Sequence, residues 1–359
     1  MCKIKRLAFV SFPFLNSLKG NPDDLSIMLF TGVRRDSITI YMPNNKTNSI
    51  SHFVRRAGYF ARNPRSQSFN AISRLFPHAF YRSYAEKAAL GGLEGVRFLL
   101  SFDCDTVQDI EVVQKNHSRL EKMGILPIYL VPGQLLEKGI ETYRSLYNSG
   151  SKFLNHGYYI HTHYDPENDE YQNIFFYDQI PAEKVVEDIV KGHESHQNLL
   201  GQSPKGFRVP HFGTFQRPKN LNLLYDTLNK LGYQYSSSTS PIVAWRKGPT
   251  HRTPEGLWEF PLSGWFSRPY TVLDSWSFRY APHRTVKPER FLKEIEHLYT
   301  FFSEPGRVGL INIYADPFQV HDWPDFFKGM DLLKHWIRPS YEAIIEEIQR
   351  NKIVPKIEM

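Results

Sequence analysis

The stretch VRFLLSFDCDTVQDIEVVQKNHSRLEKMGILPIYLV (residues 96–131) carries the pattern that decides the fold. Residues 96–102 are a short apolar run typical of a buried strand. Residues 107–123 have apolar side chains at helical spacing and are followed by Gly124, and residues 125–131 are again strand-like. A strand, a helix of more than ten residues and a second strand predict two parallel strands joined by a crossover helix.

The same alternation continues toward the C-terminus. Further strands are predicted over residues 152–159, 206–209, 233–238, 257–262 and 308–314, and further helices over 134–147, 181–200, 221–231, 288–302 and 325–349. Six or seven such units indicate an α/β protein with a mostly parallel sheet, closed or nearly closed into a barrel. An open doubly wound sheet is the alternative, although no glycine-rich phosphate loop follows any strand.

The composition agrees with a large folded chain. The 359 residues are 41% hydrophobic and 14% aromatic, which supplies a core and excludes global disorder. No run of eighteen apolar residues is present, so no membrane-spanning helix is predicted. Cys2 and Cys104 are the only cysteines, which excludes a disulfide framework and a cysteine-rich zinc site.

Charge divides the chain into two parts. Residues 1–95 contain 14 Lys and Arg against 5 Asp and Glu, whereas the remainder contains 30 against 32. We therefore predict a basic α+β extension over residues 1–92 and a barrel domain over residues 93–359, joined at Gly91-Gly92. Within the extension, strands are expected over residues 7–14 and 37–42 and a helix over residues 52–60.

The extension carries a cluster of arginines, namely Arg34, Arg35, Arg55, Arg56, Arg62 and Arg65. Such a cluster can bind the phosphates of a nucleotide-sugar or a lipid-linked glycan, or make a peripheral membrane contact. It can equally be an ordinary solvated face. It contains no recognisable nucleic-acid-binding motif, so no nucleic acid partner is expected.

The N-terminus imitates a secretion signal, because Lys3, Lys5 and Arg6 precede an apolar run over residues 7–15. Pro13 interrupts that run, and no small residues suited to cleavage follow it. A buried first strand is the interpretation we favour. Two unpaired cysteines agree with a cytoplasmic protein. If the arginine cluster contacts the membrane, the protein would lie at the inner membrane surface.

Polar residues of unusual type stand at the predicted C-terminal ends of the strands. These ends share one rim in a parallel barrel, and active sites are built there. The residues at or near this rim are Asp103, Asp105, His156, His161, His163, Arg208, His211, Asp274, Trp276, Tyr314 and Asp316. Carboxylates and imidazoles at one rim predict a site for a divalent metal ion such as zinc.

Asp103 and Asp105 are separated by one residue, so on a strand both side chains face the same way. One carboxylate can hold the metal while the other takes a proton from the attacking water. The alternative for Asp105 is a cap on the helix that starts near residue 107.

These motifs resemble those of the NodB-homology polysaccharide deacetylases (carbohydrate esterase family 4). The strand ending Ser101-Phe102-Asp103-Cys104-Asp105 resembles the first motif of that family, Phe-Asp-x-Asp. Asn155-His156 and the residues after it resemble the second, Asn-His-x-x-x-His, and residues 206–213 (GFRVPHFG) resemble the third. Residues 232–238 (GYQYSSS) and 258–261 (WEFP) are further likenesses, and together they cover about residues 96–350.

The resemblance implies a distorted (β/α)7-type barrel, a zinc-like ion and hydrolytic removal of acetyl groups from amino sugars. Asp103 would be the catalytic base and Asp105 a metal ligand. The family's histidines are four residues apart, whereas His161 and His163 lie five and seven residues after His156. Five residues of regular helix would turn the second side chain about 140° away, so this segment is predicted to be a loop. We favour His156 and His161 as ligands and keep His163 as the substitute.

The resemblance fails at the last motif, where the family has a histidine before proline that protonates the leaving amine. This chain has Asp316-Pro317 there. An aspartate can be a general acid if burial or a neighbouring carboxylate raises its pKa. His321 and His211 are the alternative acids, since histidine titrates near neutral pH. Asp316 would then orient one of them or pair with an arginine.

Three further expectations concern the walls of the site. Arg208 is expected to hold Asp103 in its ionised state or to clamp an anionic substrate, with a buried ion pair to Asp274 as the alternative. Trp276 is the aromatic residue expected to line a sugar groove, because rings suit sugar faces. His211 and Tyr314 are the other candidate substrate-binding residues.

The sequence therefore favours a metal-dependent deacetylase that acts on N-acetylated (or O-acetylated) sugars during the assembly of a surface polysaccharide. A hydrolase of another C–N amide bond is one alternative. A non-catalytic sugar-binding module, which keeps the groove after losing its acid, is another.

Overall fold

The computed structural model describes residues 64–281 and 286–353. The strands expected over residues 7–14 and 37–42, the helix expected over residues 52–60 and the side chains of the arginine cluster lie outside these described residues. No helix in the described part of the chain is both long enough and apolar enough to span a membrane.

The described residues form an 8-stranded sheet and a 2-stranded sheet. The strands are β1 (Val96–Asp103), β2 (Ile128–Val131), β3 (Phe153–Asn155), β4 (Thr162–Asp165), β5 (Glu170–Asn173), β6 (Gly206–Phe207), β7 (Tyr235–Ser236), β8 (His251–Arg252), β9 (Trp258–Glu259) and β10 (Gly309–Ala315). The larger sheet has the order β10-β1-β2-β3-β6-β7-β9-β8, and all its pairs are parallel except the last. This curled sheet with seven parallel strands confirms the predicted distorted α/β barrel of (β/α)7 type.

Helices join the parallel strands and cover the outside of the sheet. They are α1 (Pro64–Leu75), α2 (Pro77–Leu90), α3 (Val107–Glu121), α4 (Gly133–Lys138), α5 (Ile140–Asn148), α6 (Ala182–Leu200), α7 (Pro218–Lys230), α8 (Pro241–Lys247), α9 (Trp276–Arg279), α10 (Arg290–Phe302), α11 (Pro317–Val320), α12 (Pro324–Leu333) and α13 (Tyr341–Ile353), with a 3₁₀ turn over Lys334–Trp336.

Strand β1 lies between β10 and β2 and is buried on both faces, which explains why most of its side chains are apolar. Phe98 and Leu100 belong to a cluster with the surrounding helices, whereas Leu99 belongs to a second cluster with Leu130 and Leu154 of the neighbouring strands. Alternate residues of β1 therefore serve two separate parts of the core.

Polar side chains link the last strand to the segment after β9. The Nδ2 of Asn312 in β10 donates to the carbonyl oxygens of Phe260 (3.1 Å) and Pro261 (3.2 Å), and the backbone N–H of Ser263 donates to the Asn312 carbonyl (2.9 Å). The Tyr341 hydroxyl donates to Oδ1 of Asn312 (3.0 Å). These bonds bring the two ends of the parallel sheet together around the site.

Helices α1 and α2 precede the predicted domain boundary at residues 92 and 93, yet they belong to the same compact unit as the barrel. The Tyr81 hydroxyl donates to the Gly264 carbonyl (2.9 Å), and the Tyr84 hydroxyl donates to the Leu310 carbonyl in β10. Gly91-Gly92 therefore follows a helix that is packed on the sheet. The basic extension over residues 1–92 as a unit with its own role stays a prediction.

Several element boundaries differ from the sequence prediction. The helix expected over residues 134–147 is two helices, α4 and α5, which meet at Gly139. The helix expected over residues 325–349 is also broken, because the chain leaves helical geometry at Ile337 and Pro339 follows. The hairpin formed by β4 and β5 was not predicted.

Candidate metal and catalytic site

Three side chains from two strand ends converge at the rim of the barrel. Oδ1 of Asp105 lies 3.3 Å from Nε2 of His156 and 3.1 Å from Nε2 of His161. One ligand atom from each residue lies within 4.8 Å of the other two. Asp105 Oδ1 and both ring nitrogens of His161 are buried without a hydrogen-bond partner among the described residues. A divalent cation satisfies such a donor set, so these three residues fit a metal ion.

The loop that carries the two histidines is fixed by Asn155 at the end of β3. Oδ1 of Asn155 accepts from the Gly157 N–H (2.9 Å), while its Nδ2 donates to the Ile189 carbonyl (2.9 Å) and the Tyr233 hydroxyl (2.9 Å). Gly157 has a φ of 84°, a left-handed conformation that glycine adopts without strain. The predicted loop is therefore present, and it places His156 and His161 side by side.

Buried Asp188 of α6 holds the rest of this loop. One carboxylate oxygen accepts from the N–H groups of Tyr158 (3.0 Å) and Tyr159 (2.8 Å), and the other accepts from the Tyr177 hydroxyl (2.5 Å). No sequence motif identified Asp188 in advance. Its effect is to shape the backbone between the two candidate ligands.

His156 is oriented through its second nitrogen. Its Nδ1 lies 2.8 Å from the Arg208 carbonyl oxygen, so this nitrogen is the donor and Nε2 keeps its lone pair for a metal. Burial opposes protonation of His156, but Asp105 and Asp103 raise its pKa. Burial alone would raise the pKa of Asp105, whereas the adjacent His161 and His156 hold it well below its usual range.

The alternative role of Asp105 as a helix cap is not what the structure shows. Thr106 is the N-cap of α3 and forms a capping box with Asp109. Oδ2 of Asp109 accepts from the backbone N–H groups of Asp105 (3.0 Å) and Thr106 (2.8 Å). The Asp105 carboxylate is therefore left for the histidines, because Asp109 caps the helix.

Asp103 ends β1 and is paired with Arg208. Nη1 of Arg208 donates to Oδ1 of Asp103 (2.6 Å) and to Oγ of Ser101 (2.8 Å), while Nη2 donates to Tyr341 (2.9 Å). Burial raises the pKa of Asp103, and the Arg208 guanidinium opposes that rise. The alternative pair of Arg208 with Asp274 does not form.

Asp274 instead supports a residue of the pocket wall. Its Oδ2 accepts from the Tyr314 hydroxyl (2.9 Å), and its Oδ1 accepts from the Ser277 N–H (2.7 Å) at the start of α9. Burial raises the pKa of Asp274 to about 6. Asp274 is absent from the lining of the pocket at this rim, whereas Tyr314 lines it, so the role of Asp274 is to position Tyr314.

A pocket of about 180 Å³ opens above these residues. Asp103, Asp105, His156, His211, Trp276, Tyr314 and Asp316, all predicted site residues, line it. Asp316 is 6% exposed, and burial together with the carboxylates of Asp105 and Asp109 raises its pKa well above the usual value. A buried carboxyl group that keeps its proton can act as a general acid.

Two predicted residues, His163 and His321, neither line the pocket nor bond to the predicted site residues that do. His163 is exposed on the hairpin, because alternate residues of a strand face opposite ways and Thr162 and Tyr164 take the buried face. His321 stacks on Phe318 (5.0 Å between ring centroids) with its Nδ1 2.6 Å from the Phe318 carbonyl oxygen, and it does not line the pocket.

The pocket also contains residues that sequence reasoning missed. They are Thr162, Tyr171, Asn173, Phe176, Phe212, Thr214 and Gln319. A signal was present for the first three, because polar and apolar residues alternate on both sides of Pro166-Glu-Asn-Asp169, a turn-rich segment that predicts a hairpin.

Comparisons with known proteins agree with this fold. A protein from Mycobacterium smegmatis described as a polysaccharide deacetylase has a TM-score of 0.53 at 16% identity, covering 75% of this chain and 94% of its own. One described in the same way from Pseudomonas aeruginosa PAO1 has a TM-score of 0.52 at 11% identity, covering 76% and 95%. The Puue allantoinase has a TM-score of 0.52 at 10% identity, covering 74% and 92%.

No family model matches the sequence, and no curated protein matches it. The structural comparisons therefore define the class of fold: the described chain has the NodB-like α/β barrel of polysaccharide deacetylases. The predicted fold resemblance is confirmed at this level.

Proposed function

We propose that this protein is a metal-dependent hydrolase that removes acetyl groups from N-acetylated or O-acetylated sugars. The observation that carries the proposal is the cluster of Asp105, His156 and His161, which adjoins a pocket that also exposes Asp103. A fold by itself does not define an activity, so the proposal rests on these side chains.

Zinc is the metal we propose, because two imidazoles and one carboxylate suit zinc and its neighbours. When bound, such an ion supplies Lewis-acid chemistry by lowering the pKa of water and polarising the acyl carbonyl. His156 is held for ligation by its bond to the Arg208 carbonyl oxygen. Asp105 is held by the capping box of α3.

Two aspartates of the pocket carry out the proton transfers. Asp103, oriented by Arg208, accepts a proton from the attacking water. Asp316 lies in the same pocket and donates a proton to the leaving amine. Tyr314 and Trp276 form parts of the wall against which the sugar binds.

The first test is metal content and acetate release with matched histidine variants. The full chain, purified without chelator, is analysed for metal and then assayed with zinc or cobalt on acetylated chito-oligosaccharides and on an aryl acetate. His161→Ala is expected to lose bound metal and activity, whereas His163→Ala, two residues along on the exposed face, is expected to keep both. Failure of the wild type to release acetate from any of these substrates would contradict the proposal.

A second candidate is a hydrolase of another C–N amide bond. The allantoinase reaches the same TM-score as one of the deacetylases, so the fold comparison does not separate these reactions. Turnover of a cyclic or linear amide such as allantoin, without acetate release from sugars, would favour this candidate. Metal and glycan binding without any turnover would favour a sugar-binding module.

The cellular setting is also a proposal. We infer a role in surface polysaccharide assembly at the cytoplasmic side of the membrane, supported by the basic balance of residues 1–95. A nucleotide-sugar or a lipid-linked glycan would then carry the acetylated sugar. Cell fractionation with an antibody to the full chain tests the location, and recovery outside the cell would contradict it.

A further inference from the structure

The β4–β5 hairpin is the least expected feature of the site. It starts directly after His161, and the Ile174 N–H donates to the His161 carbonyl oxygen (2.8 Å), which closes its base. Opposite residues pair from Thr162 and Asn173 at the base to Asp165 and Glu170 near the turn. The candidate metal ligand and the hairpin are thus parts of one structural element.

The hairpin has a buried face and an exposed face. Thr162, Tyr164 and Tyr171 share the buried face, whereas His163 and Gln172 are exposed. The rings of Tyr164 and Tyr171 lie opposite each other at 4.9 Å between centroids. A two-stranded hairpin is only marginally stable alone, so its buried face must pack against another part of the protein.

That packing partner lies on the far side of the site. The Tyr164 ring is 5.0 Å from Phe318 of α11, and the Tyr171 ring is 5.6 Å from Trp276 and 4.8 Å from Tyr280 at α9. The hairpin leaves the barrel after β3, while α11 follows β10, and β1 and β2 lie between those strands. The hairpin therefore bridges the rim next to the end of β1, the strand that carries Asp103 and leads into Asp105.

This bridge closes the pocket on one side. Tyr171 and Asn173 from the hairpin meet Trp276 and Gln319 from the opposite loops in the pocket lining. The pocket volume of about 180 Å³ is below the roughly 300–1,000 Å³ of pockets that take drug-sized ligands. One sugar ring fits a space of this kind, whereas consecutive rings of a glycan on both sides of the reacting unit would meet the hairpin.

The charge of the lining adds a second restriction. Among the described residues, the pocket lining has three aspartates and no lysine or arginine. The lining offers no lysine or arginine to a phosphate on the sugar, so the phosphates of a nucleotide-sugar would have to lie outside it. A phosphate carried farther along the substrate would lie outside the pocket.

From these observations we infer that the substrate enters end-on. The reacting unit is the uncharged terminal sugar of a glycan or a free acetylated monosaccharide, and the β4–β5 hairpin excludes internal units of a polymer. This inference rests on the proposed function, since it specifies which acetyl group the site reaches.

The test maps the position of deacetylation. N-acetylated chitohexaose with an isotopically labelled reducing end is incubated with the full chain, and tandem mass spectrometry identifies which unit has lost its acetyl group. One terminal unit is expected to react faster than every internal unit by about ten-fold or more, the scale on which a pocket rejects a poorly fitting group. Equal loss from internal units would overturn the inference while leaving the deacetylase proposal intact.

A pair of variants tests the role of the hairpin. The double variant Tyr164→Ala/Tyr280→Ala removes ring contacts that dock the hairpin, at residues outside the pocket lining. Internal deacetylation is expected to appear in this variant and to stay absent in the matched control His163→Ala/Gln172→Ala. Hydrolysis of an aryl acetate reports an intact catalytic site in each protein. If none of these proteins hydrolyses any substrate, the proposed function itself is wrong. If the docking variant hydrolyses the ester but still deacetylates only terminal units of the glycan, the hairpin does not set the specificity.

Discussion

The carboxylate of Asp103 and the guanidinium of Arg208 form an ion pair of 2.6 Å in which both side chains are buried. Oδ1 of Asp103 accepts the hydrogen bond from Arg208, whereas Oδ2 points toward His156 and lies 4.0 Å from its Nε2. One oxygen is therefore committed to orientation and the other is available at the pocket. A carboxylate with one oxygen held by an arginine and the other facing the pocket suits a base that acts on a water molecule next to a metal ion.

The first prediction concerns Asp103→Asn. Asparagine keeps the shape of the side chain but does not accept the proton, so kcat is expected to fall by about 10²–10⁴. Metal content is expected to stay at the wild-type level, because Asp105, His156 and His161 are untouched. Acetate release and metal analysis of the same preparation measure both effects. An active Asp103→Asn protein would remove Asp103 from the catalytic role.

The second prediction concerns the stability of the buried ion pair. Arg208→Met leaves the Asp103 carboxylate buried without its partner, which is expected to lower the free energy of unfolding by about 3–5 kcal/mol. Arg307→Met breaks the more exposed pair of Arg307 with Glu304, and about 0–1 kcal/mol is expected there. Chemical denaturation measures both values.

A double variant separates the charge from the packing at this pair. Asp103→Asn/Arg208→Met removes both charges, so it is expected to be less destabilised than the sum of the two single variants. Additive losses would mean that the guanidinium stabilises the barrel through Ser101 and Tyr341 rather than through Asp103.

Parts of this site could be predicted from the sequence for a simple reason. In a parallel barrel the end of each strand fixes which residues reach the rim, so Asp103, Asp105 and His156 follow from locating β1 and β3. The choice of His161 over His163 needed the register of the hairpin, which sends alternate side chains to opposite faces.

Other features depended on contacts between distant segments. Arg208 was expected to hold Asp103, with Asp274 as the alternative partner, and because both aspartates stand at the same rim only the three-dimensional placement decides between them in favour of Asp103. The docking of the hairpin on α9 and α11 is equally non-local. The break before α13, by contrast, could have been predicted from Pro339.

The third prediction concerns the backbone of His211, which has a φ of 51°. A side chain with a Cβ is strained in this left-handed region, and glycine is not. His211→Gly is therefore expected to be more stable than His211→Ala by about 1 kcal/mol, although both lose the ring. Thermal unfolding measures the order of the two variants.

The control for His211 lies in a regular helix. At Ala343 in α13, the change to glycine is expected to destabilise by about 1 kcal/mol, because glycine disfavours helix. If glycine is more stable than alanine at residue 211 but less stable than alanine at residue 343, His211 is held in a strained conformation for its place in the pocket. If alanine is the more stable residue at both positions, that interpretation is wrong.

The fourth prediction is a pH dependence of stability from His196. Burial lowers the pKa of His196 to about 4, so the folded protein binds its proton less readily than the unfolded chain. The stabilisation is complete above the unfolded pKa of about 6.5 and is lost as the pH falls from there to about 4. Its full size is on the order of 3 kcal/mol. His196→Gln is expected to flatten this part of the stability profile, and the same change at exposed His335 serves as the control.

The last prediction identifies the general acid through the leaving group. An amine must gain a proton to leave, whereas the phenolate of an aryl acetate leaves without one, so only amide substrates need the acid. Asp316→Asn is therefore expected to lower kcat/KM by about 10² or more on an N-acetyl sugar and to change little on the ester. Because burial raises the pKa of Asp316, wild-type activity on the amide is expected to fall as the pH rises through that pKa, and the variant should lack this decline. If His211→Asn lowered the ratio of kcat/KM on the amide to kcat/KM on the ester, and Asp316→Asn left that ratio unchanged, the general acid would be His211 instead.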